Sequence, residues 1–485
     1  MLKTLIQKEL KSITVSKKFS VTFLICSILL LLSVAIGINE YKQAVTQYET
    51  VHRMADERIQ QVSSWHSVSY REHRKPSPMM IFTSGLSYDI GRWTDINDDS
   101  SVKLKSSIYS DDPIFAVFRI IDFTFIVQII FSLLAILFTY DAINGEKESG
   151  TLRLIFSNAV PRTKYILAKC IGTWLGLIVP ILIPILVSIL MVLLFQINFS
   201  ASEWVRLGLL VVVSILYITT FIVFGVFMST RSRNSNVSFL LSLVFWIGFV
   251  LIIPRGGVMV AGQMVPVPRI AEIEGMKVSY EKNKWEKYYK DMEERYRQQD
   301  QNGSDVENDQ QSDDLLWARM KEEDSLRTEV KKEIDTYNET IQEDLQNKQK
   351  VQQNLGFILS RISPAATFQI AAMKLSATDI TLKSKYEEVL KDYRNAFNAY
   401  IEKKSENAGP GAGAIMITMD SDKGLDLKMG KDEAIDVSDR PTFVHPVTNL
   451  SQILPDVLSN IAILLSMIVG LILSAYYSFM KFDLR

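Results

Sequence analysis

The sequence predicts an all-α polytopic membrane protein with six transmembrane helices and a mainly helical extracytoplasmic domain, which contains a long helical hairpin and a small β element. Three observations lead to this fold class. The 485 residues are 48% hydrophobic, and the apolar residues are concentrated in six runs of about 20 residues, the length of helix that crosses a bilayer core. Lys and Arg are concentrated in one alternating set of the segments between these runs. The longest polar segment has apolar residues at helical spacing.

Composition argues against one class of partner and against one kind of covalent framework. The net charge of −1 gives no overall positive field, so nucleic acid is not a predicted partner. The two cysteines, Cys26 and Cys170, lie in or beside apolar runs. They cannot form a disulfide framework for the polar regions.

The N-terminal residues 1–18 are predicted to form a cytoplasmic amphipathic helix at the membrane interface. Residues 19–39 follow as transmembrane helix 1. Ser33, Val34 and Ala35 would make a passable signal-peptidase site, but the apolar run is too long for an ordinary signal-peptide core. We therefore expect an uncleaved anchor.

Five further runs are predicted to cross the membrane. Transmembrane helices 2 to 6 are expected at residues 120–140, 171–197, 204–229, 237–254 and 453–479. Pro180 and Pro184 lie inside the third span, where neighbouring helices can satisfy the carbonyl groups that a proline frees. Pro254 is predicted to close the fifth span.

The distribution of basic residues predicts the orientation of these spans. Six spans place both termini on one side, and Lys and Arg mark that side as the cytoplasm. The basic segments are residues 1–18, a polar loop at 141–170, a turn at 230–236 and a tail at 480–485. The segments at 40–119 and 255–452 are then extracytoplasmic. We predict a multi-pass protein of the plasma (inner) membrane with both termini in the cytoplasm.

The larger outer segment is predicted to contain two long antiparallel helices. Their apolar seam residues follow helical spacing; they are Trp285, Tyr288, Tyr289, Met292 and Tyr296 on one helix, and Val330, Ile334, Tyr337, Ile341 and Leu345 on the other. Residues 298–314 link them, and a further helix is expected to start at Ser363 and Pro364. Residues 409–414 read as a linker, and residues 415–419 alternate like a short strand. Two compatible interpretations of the hairpin stay open. It is a solvated helical pair, or it is such a pair that also serves as a stalk reaching an envelope partner.

No sequence motif predicts catalysis, a metal or a cofactor in this chain. Residues 145–151 (GEKESGT) superficially resemble a phosphate-binding loop, but Lys is missing before the Ser/Thr and two glutamates would repel phosphate. The histidines His52, His66, His73 and His445 are interpreted as surface residues rather than metal ligands. The spans are almost free of ionisable groups, whereas ion-driven transporters usually bury them there. If the protein does work, we expect the energy to come from a separate cytoplasmic ATPase.

The polar loop also carries a family resemblance. Residues 141–154 (DAINGEKESGTLRL), continued by Ser157, Asn158, Pro161, Arg162 and Lys169, resemble the first cytoplasmic loop of permease subunits of type-2 ABC transporters. The six-span order, the N-terminal helix with Lys8, Glu9 and Leu10, and the closing residues 481–485 (KFDLR) are similar to the branch with large extracytoplasmic insertions. The resemblance implies that Glu146, Glu148, Gly150 and Thr151 shape a coupling turn for the ATPase. It implies that Arg153, Arg162 and Lys169 flank this turn.

The resemblance implies a permease subunit that is not itself an enzyme. ATP and Mg would be bound by a partner ABC ATPase, and a second permease subunit, either an identical copy or a related paralogue, would complete the membrane part. Membrane lipid and an extracytoplasmic partner at the hairpin are further expected contacts. The apolar spans fit a lipid-like or amphipathic substrate. Two alternatives stay open: ATPase-driven mechanotransmission through the hairpin without cargo, and a membrane anchor or receptor.

Overall fold

The computed structural model describes residues 2–63, 65, 68–96, 104–107, 121–158, 160–301, 309–407, 415–420, 424–429 and 435–481. Three predictions fall outside these residues: the position of His66, the linker at 409–414 and the end of the tail. The chain divides into two compact units. One comprises Met1–Ile252 and Ser363–Arg485, and the other comprises Ile253–Ile362.

Long apolar helices dominate the first unit. Its N-terminal half contains α1 (Leu2–Thr14), α2 (Lys17–Gln60), α3 (Phe123–Leu137), α4 (Asn144–Glu148), α5 (Thr151–Ser157), α6 (Arg162–Leu194), α7 (Ala201–Arg231) and α8 (Ser235–Ile247). Within the described residues, five stretches are long and apolar enough to cross a membrane: Lys17–Gln60, Arg162–Leu194, Ala201–Arg231, Ser235–Met264 and Leu450–Met480. The second predicted span appears as α3, which is apolar but shorter than the others.

Several helix bounds differ from the sequence-based ones. Helix α2 runs 44 residues, well beyond the predicted end at residue 39, because its polar outer half has no helix breaker. Helix α6 begins at Arg162, so the last residues of the predicted loop are helical. Helical residues do not stop at Pro254 but continue to Met264 as α9 (Ile253–Met264). A proline inside a continuous helix can be accommodated by a local change to π-helical hydrogen bonding, and the segment directly before it, Gly248–Ile252, is π-helical.

Two helices contain π-helical segments. The middle of α3, Ile126–Phe131, is π-helical, and Gly248–Ile252 follows α8 in the same conformation. Aromatic side chains bridge the helices here. The Trp246 indole N–H donates to the Ser132 hydroxyl at 2.8 Å, and the Tyr217 hydroxyl donates to the Gln128 carbonyl at 2.8 Å. The π-helical segments are therefore anchored to their neighbours.

Helix α12 (Pro364–Leu375) is packed inside the apolar core rather than on an outer surface. As predicted, it begins after Ser363, whose hydroxyl accepts from the Ala365 amide at 3.1 Å and caps the helix. Phe368 is fully buried and stacks on Tyr217 of α7 with ring centroids 4.7 Å apart. Helix α14 (Leu450–Met480) packs on both α7 and α12. The Ala-rich composition of α12 allows this close packing.

Gly225 of α7 marks a close approach to the residues that follow α3. A Cβ atom there would lie 1.8 Å from the Thr139 Oγ1 atom. We expect Gly225→Ala to lower the free energy of unfolding by about 1–3 kcal/mol through overpacking. Thermal unfolding of the detergent-solubilised protein measures this. Gly208→Ala on the same helix is the control, because a Cβ at Gly208 meets nothing within 4 Å. Equal stability of the two variants would contradict the close approach.

The predicted extracytoplasmic part of the first unit is built around the end of α2. Strand β1 (Tyr70–His73) pairs antiparallel with β2 (Trp93–Ile96), and a 3₁₀ helix spans Pro78–Ile81. Helix α13 (Thr381–Asn407) and residues 435–443 pack on α2 and β1 through a core of aromatic and aliphatic side chains. His52, His73 and His445 are partly exposed and partly covered by this core. Tyr48 stacks on His52, and Phe443 lies edge-on to His445.

The second unit contains the predicted antiparallel hairpin. Helices α10 (Ile270–Gln301) and α11 (Asp309–Ser360) are joined by side-chain pairs whose residue numbers rise on one helix and fall on the other. These are Tyr280 on Tyr337 (centroids 3.7 Å apart), Lys284 to Glu333 (2.5 Å) and Arg295 to Glu322 (2.9 Å). Of the predicted seam residues, Tyr288 and Ile334 are buried, whereas Tyr289 is 65% exposed. The apolar residues predicted for the seam of α10 therefore lie on two adjacent faces of this helix, and only one of these faces is turned towards α11.

A small β element completes the described residues. Strand β3 (Ile415–Asp420) confirms the predicted alternating strand. It pairs antiparallel with β4 (Gly424–Met429), a strand that was not predicted.

Candidate functional site

The polar loop (residues 141–170) is a folded turn of two short helices. Helices α4 and α5 meet at Gly150, which has a left-handed backbone with φ +73°. Glycine adopts this conformation without steric cost, so it can redirect the chain here. The amides of Ile143 and Asn144 donate to the Ser229 hydroxyl of α7 at 3.0 and 3.2 Å. The start of α4 is thereby tied to the end of α7.

The inner face of the loop has its own hydrophobic core. Ile143 and Leu152 pack with residues from the ends of α6, α7 and α14. Tyr165 stacks on Phe479 with ring centroids 5.3 Å apart. This packing fixes the loop against three long helices.

Glu146 lies inside the loop rather than on its outer face. Its carboxylate accepts from Lys8 Nζ at 2.7 Å, from the Tyr165 hydroxyl at 2.5 Å and from Lys169 Nζ at 3.0 Å. Burial raises the pKa of Glu146, but Lys169 and the three hydrogen bonds outweigh it and hold the pKa below its ordinary value. The side chain is therefore a charged structural link between α4, α1 and α6.

Lys169 binds a second carboxylate as well. Only 4% exposed, it reaches Glu9 of α1 at 2.8 Å. A Cβ atom on Gly172 would lie 2.6 Å from the Glu9 Cβ, which shows how closely α1 packs on α6. We call Lys8, Glu9, Glu146 and Lys169 the charge junction. It joins the N-terminal helix, the polar loop and α6.

Glu148 and Arg162 each bind the end of another long helix. The Glu148 carboxylate accepts from the Ser235 amide at 2.7 Å and from its hydroxyl at 3.0 Å, at the start of α8. A negative charge is favourable at a helix N-terminus. The Arg162 guanidinium donates to the Met480 carbonyl at 2.7 Å, at the end of α14.

Removing the Glu148 carboxylate is expected to loosen the first turn of α8. We expect Glu148→Ala to cost about 0.5–2 kcal/mol, as loss of a helix cap does. Hydrogen–deuterium exchange of peptides covering the start of α8 measures the change as faster exchange. The control is Ser149→Ala, because the Ser149 hydroxyl bonds only within the loop, to the Glu146 carbonyl and the Thr151 hydroxyl. Unchanged exchange in Glu148→Ala would show that the cap is not needed.

The seven residues selected from the sequence thus fall into two groups. Glu146, Glu148, Arg162 and Lys169 bind other helices, as described above. Gly150, Thr151 and Arg153 lie on the exposed face of the loop. The Thr151 hydroxyl donates to the Glu146 carbonyl at 3.2 Å and closes the turn.

Leu154 is an exposed residue that the sequence reading missed. It follows Arg153 on α5 and is 67% exposed. Leu152 of the same helix is buried and Ile155 and Phe156 pack against the loop core, so Leu154 is off the apolar face of α5. The sequence did carry a signal for Leu154, because this residue is apolar but lies off the helical spacing of the other apolar residues of α5. We define the outer face of the loop as Ser149, Gly150, Thr151, Arg153, Leu154, Ser157 and Asn158, all of them exposed.

Nowhere in the described ranges are three or more His, Cys, Asp or Glu side chains grouped so that they could hold a metal ion. The arrangement is instead suited to mechanical transmission, because one small loop is bonded to α1, α6, α7, α8 and α14.

Comparison with known proteins identifies a family. A family model described as "ABC-2 family transporter protein" matches residues 3–484. No curated protein matches the sequence.

Proposed function

The chain belongs to the ABC-2 family of transporter proteins, and from this premise we propose that its polar loop receives the motion of a cytoplasmic ATPase and passes it to the transmembrane helices. The chain is a multi-pass membrane subunit of an ABC transporter and not its nucleotide-binding component. Membership implies an ABC ATPase as partner and usually a second permease subunit. ATP and Mg would be bound by that ATPase.

One observation carries this proposal: the polar loop is bonded to several long helices and also presents an exposed face. A displacement of the loop is transferred through the charge junction to α1 and α6, through Glu148 to α8 and through Arg162 to α14. Packed elements move as discrete bodies rather than deforming continuously. The outer face would dock in the ATPase, and the inner contacts would carry its movement.

The proposed orientation places the polar loop, both termini and the 230–236 turn in the cytoplasm. The clustering of Lys and Arg on these segments supports it. In the structure, Lys8 of α1 and Lys169 of α6 meet on the loop, so the basic N-terminal helix and the loop share one side. The plasma (inner) membrane remains the proposed location.

For the substrate we propose a lipid-like or amphipathic molecule. The buried hydroxyls of Ser188 and Ser214 bond the carbonyl four residues earlier in their own helix, at 2.8 and 2.7 Å. Such hydroxyls are satisfied without an ion or solute. A mostly apolar helix surface is compatible with a cargo that partitions into the bilayer.

The test is co-purification of the chain with any ATPase that it binds, followed by an assay of ATP hydrolysis. The tagged chain is purified from native membranes under mild conditions, and co-purifying proteins are identified. We expect an ABC ATPase to be recovered, and ATP hydrolysis to require it. Purified chain that hydrolyses ATP alone, or recovery of no ATPase, would overturn the proposal and favour the anchor or receptor function.

The length of α11 favours a second candidate, mechanotransmission without cargo. Its 52 residues would extend about 78 Å at 1.5 Å per residue, far more than a loop between spans needs. Sealed vesicles that contain the complex separate the two functions. Movement of a fluorescent phospholipid between leaflets supports transport, whereas ATP-dependent motion of spin labels on the hairpin without lipid movement supports mechanotransmission.

A further inference from the structure

A buried acidic side chain lies in the outer part of the first unit, away from the polar loop. Glu72 of β1 is 2% exposed. Its Oε1 atom accepts from the adjacent His73 amide at 3.1 Å, but Oε2 has no hydrogen-bond partner among the described residues. An ionised carboxylate buried in this way is costly.

The groups around Glu72 come from every element packed against β1. Helix α2, helix α13, residues 435–445 and β1 itself contribute titratable or charged side chains. They are Tyr48, Asp56, Tyr70, Tyr386, Tyr393 and Arg440. From β2, the cross-strand neighbour is Thr94, an uncharged residue whose hydroxyl is also without a described partner.

Several other nearby hydrogen-bond donors are already in use. The hydroxyls of Tyr48, Tyr70 and Tyr393 bond His445 Nε2 at 2.8 Å, Asp56 Oδ1 at 2.9 Å and the Pro441 carbonyl at 3.2 Å, respectively. Arg440 forms an ion pair with Asp56 at 2.5 Å. A negative charge on Glu72 would have to recruit the Thr94 hydroxyl, break one of these bonds or admit water. The bonds from Tyr48 to His445 and from Arg440 to Asp56 join α2 to residues 435–445, so breaking either of them weakens that contact.

We propose that Glu72 is a proton-controlled latch: its protonated carboxyl group allows α13 and residues 435–445 to close on the outer end of α2, and loss of the proton loosens them. This inference does not rest on the proposed ATPase-coupling function. It belongs to the segments predicted to lie outside the membrane, where the external medium sets the proton concentration.

The pH window follows from the direction of the pKa changes. Burial, together with Asp56, raises the pKa of Glu72 from 4.5 to about 8. A raised pKa in the closed form means that the contribution of Glu72 to closure is fully present below pH 4.5 and is lost as the pH rises through about 8. Burial lowers the pKa of His73 and of His445 to about 4. The contribution of these two histidines to the stability of the closed form is present above pH 6.5 and is lost only as the pH falls through about 4.

Pulsed electron paramagnetic resonance tests the latch in the full-length chain. Nitroxide labels are attached at Glu57 on α2 and Asn395 on α13, two exposed positions, after Cys26 and Cys170 have been replaced by alanine. Distances are measured between about pH 6 and about pH 10, a range that brackets the proposed transition. We expect the distance distribution of the otherwise wild-type chain to be narrow at low pH and to broaden with a midpoint near pH 8.

Two variants make the outcome specific to Glu72. Glu72→Gln imitates the protonated form, so its distribution should stay narrow throughout. Glu388→Gln removes an exposed carboxylate from α13 and should retain the wild-type response. A pH response shared by wild type and Glu72→Gln, or absent from wild type, would overturn the latch.

A second measurement does not depend on the folding of Glu72→Gln. The infrared difference spectrum between acid and alkaline wild-type protein, with the protein labelled by ¹³C in glutamate side chains, should show a protonated carboxyl band that disappears with a midpoint near pH 8. If all glutamates titrate near pH 4.5, Glu72 is not held protonated and the latch is wrong.

Discussion

Replacing Lys169 with methionine is expected to lower the free energy of unfolding by about 3–5 kcal/mol, because removal of one partner leaves buried charges unpaired. Lys169 lies between the carboxylates of Glu9 and Glu146, at 2.8 and 3.0 Å, and all three side chains are largely shielded from solvent. Without the cation, two negative groups would face each other. Methionine keeps the length and volume of the side chain, so the loss reports on charge rather than on packing.

The expected consequence extends to function. With the charge junction broken, α1 should detach from α6 and the polar loop should transmit less of the ATPase movement. We expect a lower midpoint of thermal unfolding, faster hydrogen–deuterium exchange in α1, and ATP hydrolysis that no longer responds to the membrane subunit.

Two comparisons isolate the effect of Lys169. Lys164→Met removes an exposed lysine from the same helix and should change stability by no more than about 0.5 kcal/mol, as surface substitutions do. Adding Glu9→Gln to Lys169→Met should restore part of the stability, since Glu146 keeps its ion pair with Lys8 and the carboxylate of Glu9, which lost its Lys169 partner, is then absent. If Lys169→Met were as stable as Lys164→Met, the junction would contribute nothing and another contact would have to hold α1.

Replacing Leu154 with aspartate is expected to weaken binding of the ATPase by about 30-fold or more, the effect of losing an interface residue worth about 2 kcal/mol. Leu154 is an exposed apolar side chain on the outer face of the polar loop. An apolar residue at the centre of a contact contributes by excluding water. Aspartate would place a negative charge in the contact between the loop and the ATPase. Arg153→Glu should weaken binding in the same direction, through loss of an exposed positive charge.

Co-purification and titration with fluorescent ATPase measure this loss. The unfolding midpoint of Leu154→Asp should stay close to wild type, because the side chain makes little contact within the chain. Val444→Asp is the matched control: Val444 is also apolar and is 74% exposed, but it lies in the predicted extracytoplasmic part. Wild-type affinity in Leu154→Asp would place the docking surface elsewhere. A Glu146→Lys variant cannot give this information, because it would disrupt the charge junction as well as any docking.

The apolar runs and the spacing in the hairpin could be predicted from the sequence because those signals are local. Five of the six predicted runs form helices long enough to cross a membrane. The remaining run, predicted at residues 120–140, forms the shorter helix α3. The capping of α12 by Ser363 and the strand at residues 415–419 were also visible, since each depends on a few neighbouring residues.

The roles of the loop residues could not be predicted, because their partners are distant in sequence. Glu146 binds Lys8, which is 138 positions earlier, and Arg162 binds the Met480 carbonyl, which is 318 positions later. A motif gives the composition of such a turn but not the direction of each side chain. Glu146 and Lys169 therefore resembled docking residues although they point inward, and Leu154 was missed because it lies between residues of the apolar face.

The unbroken length of α2 has a consequence for how the two sides of the protein communicate. Its 44 residues form a rod of about 66 Å at 1.5 Å per residue. Its first turn starts three residues after α1, the helix that carries Lys8 and Glu9 of the charge junction, and its outer part carries Tyr48 and Asp56 near Glu72. A rod that pivots by about five degrees moves its far end by roughly 6 Å over this length. Nucleotide binding at one end and proton binding at the other would then be thermodynamically linked, each changing the affinity for the other by the same factor.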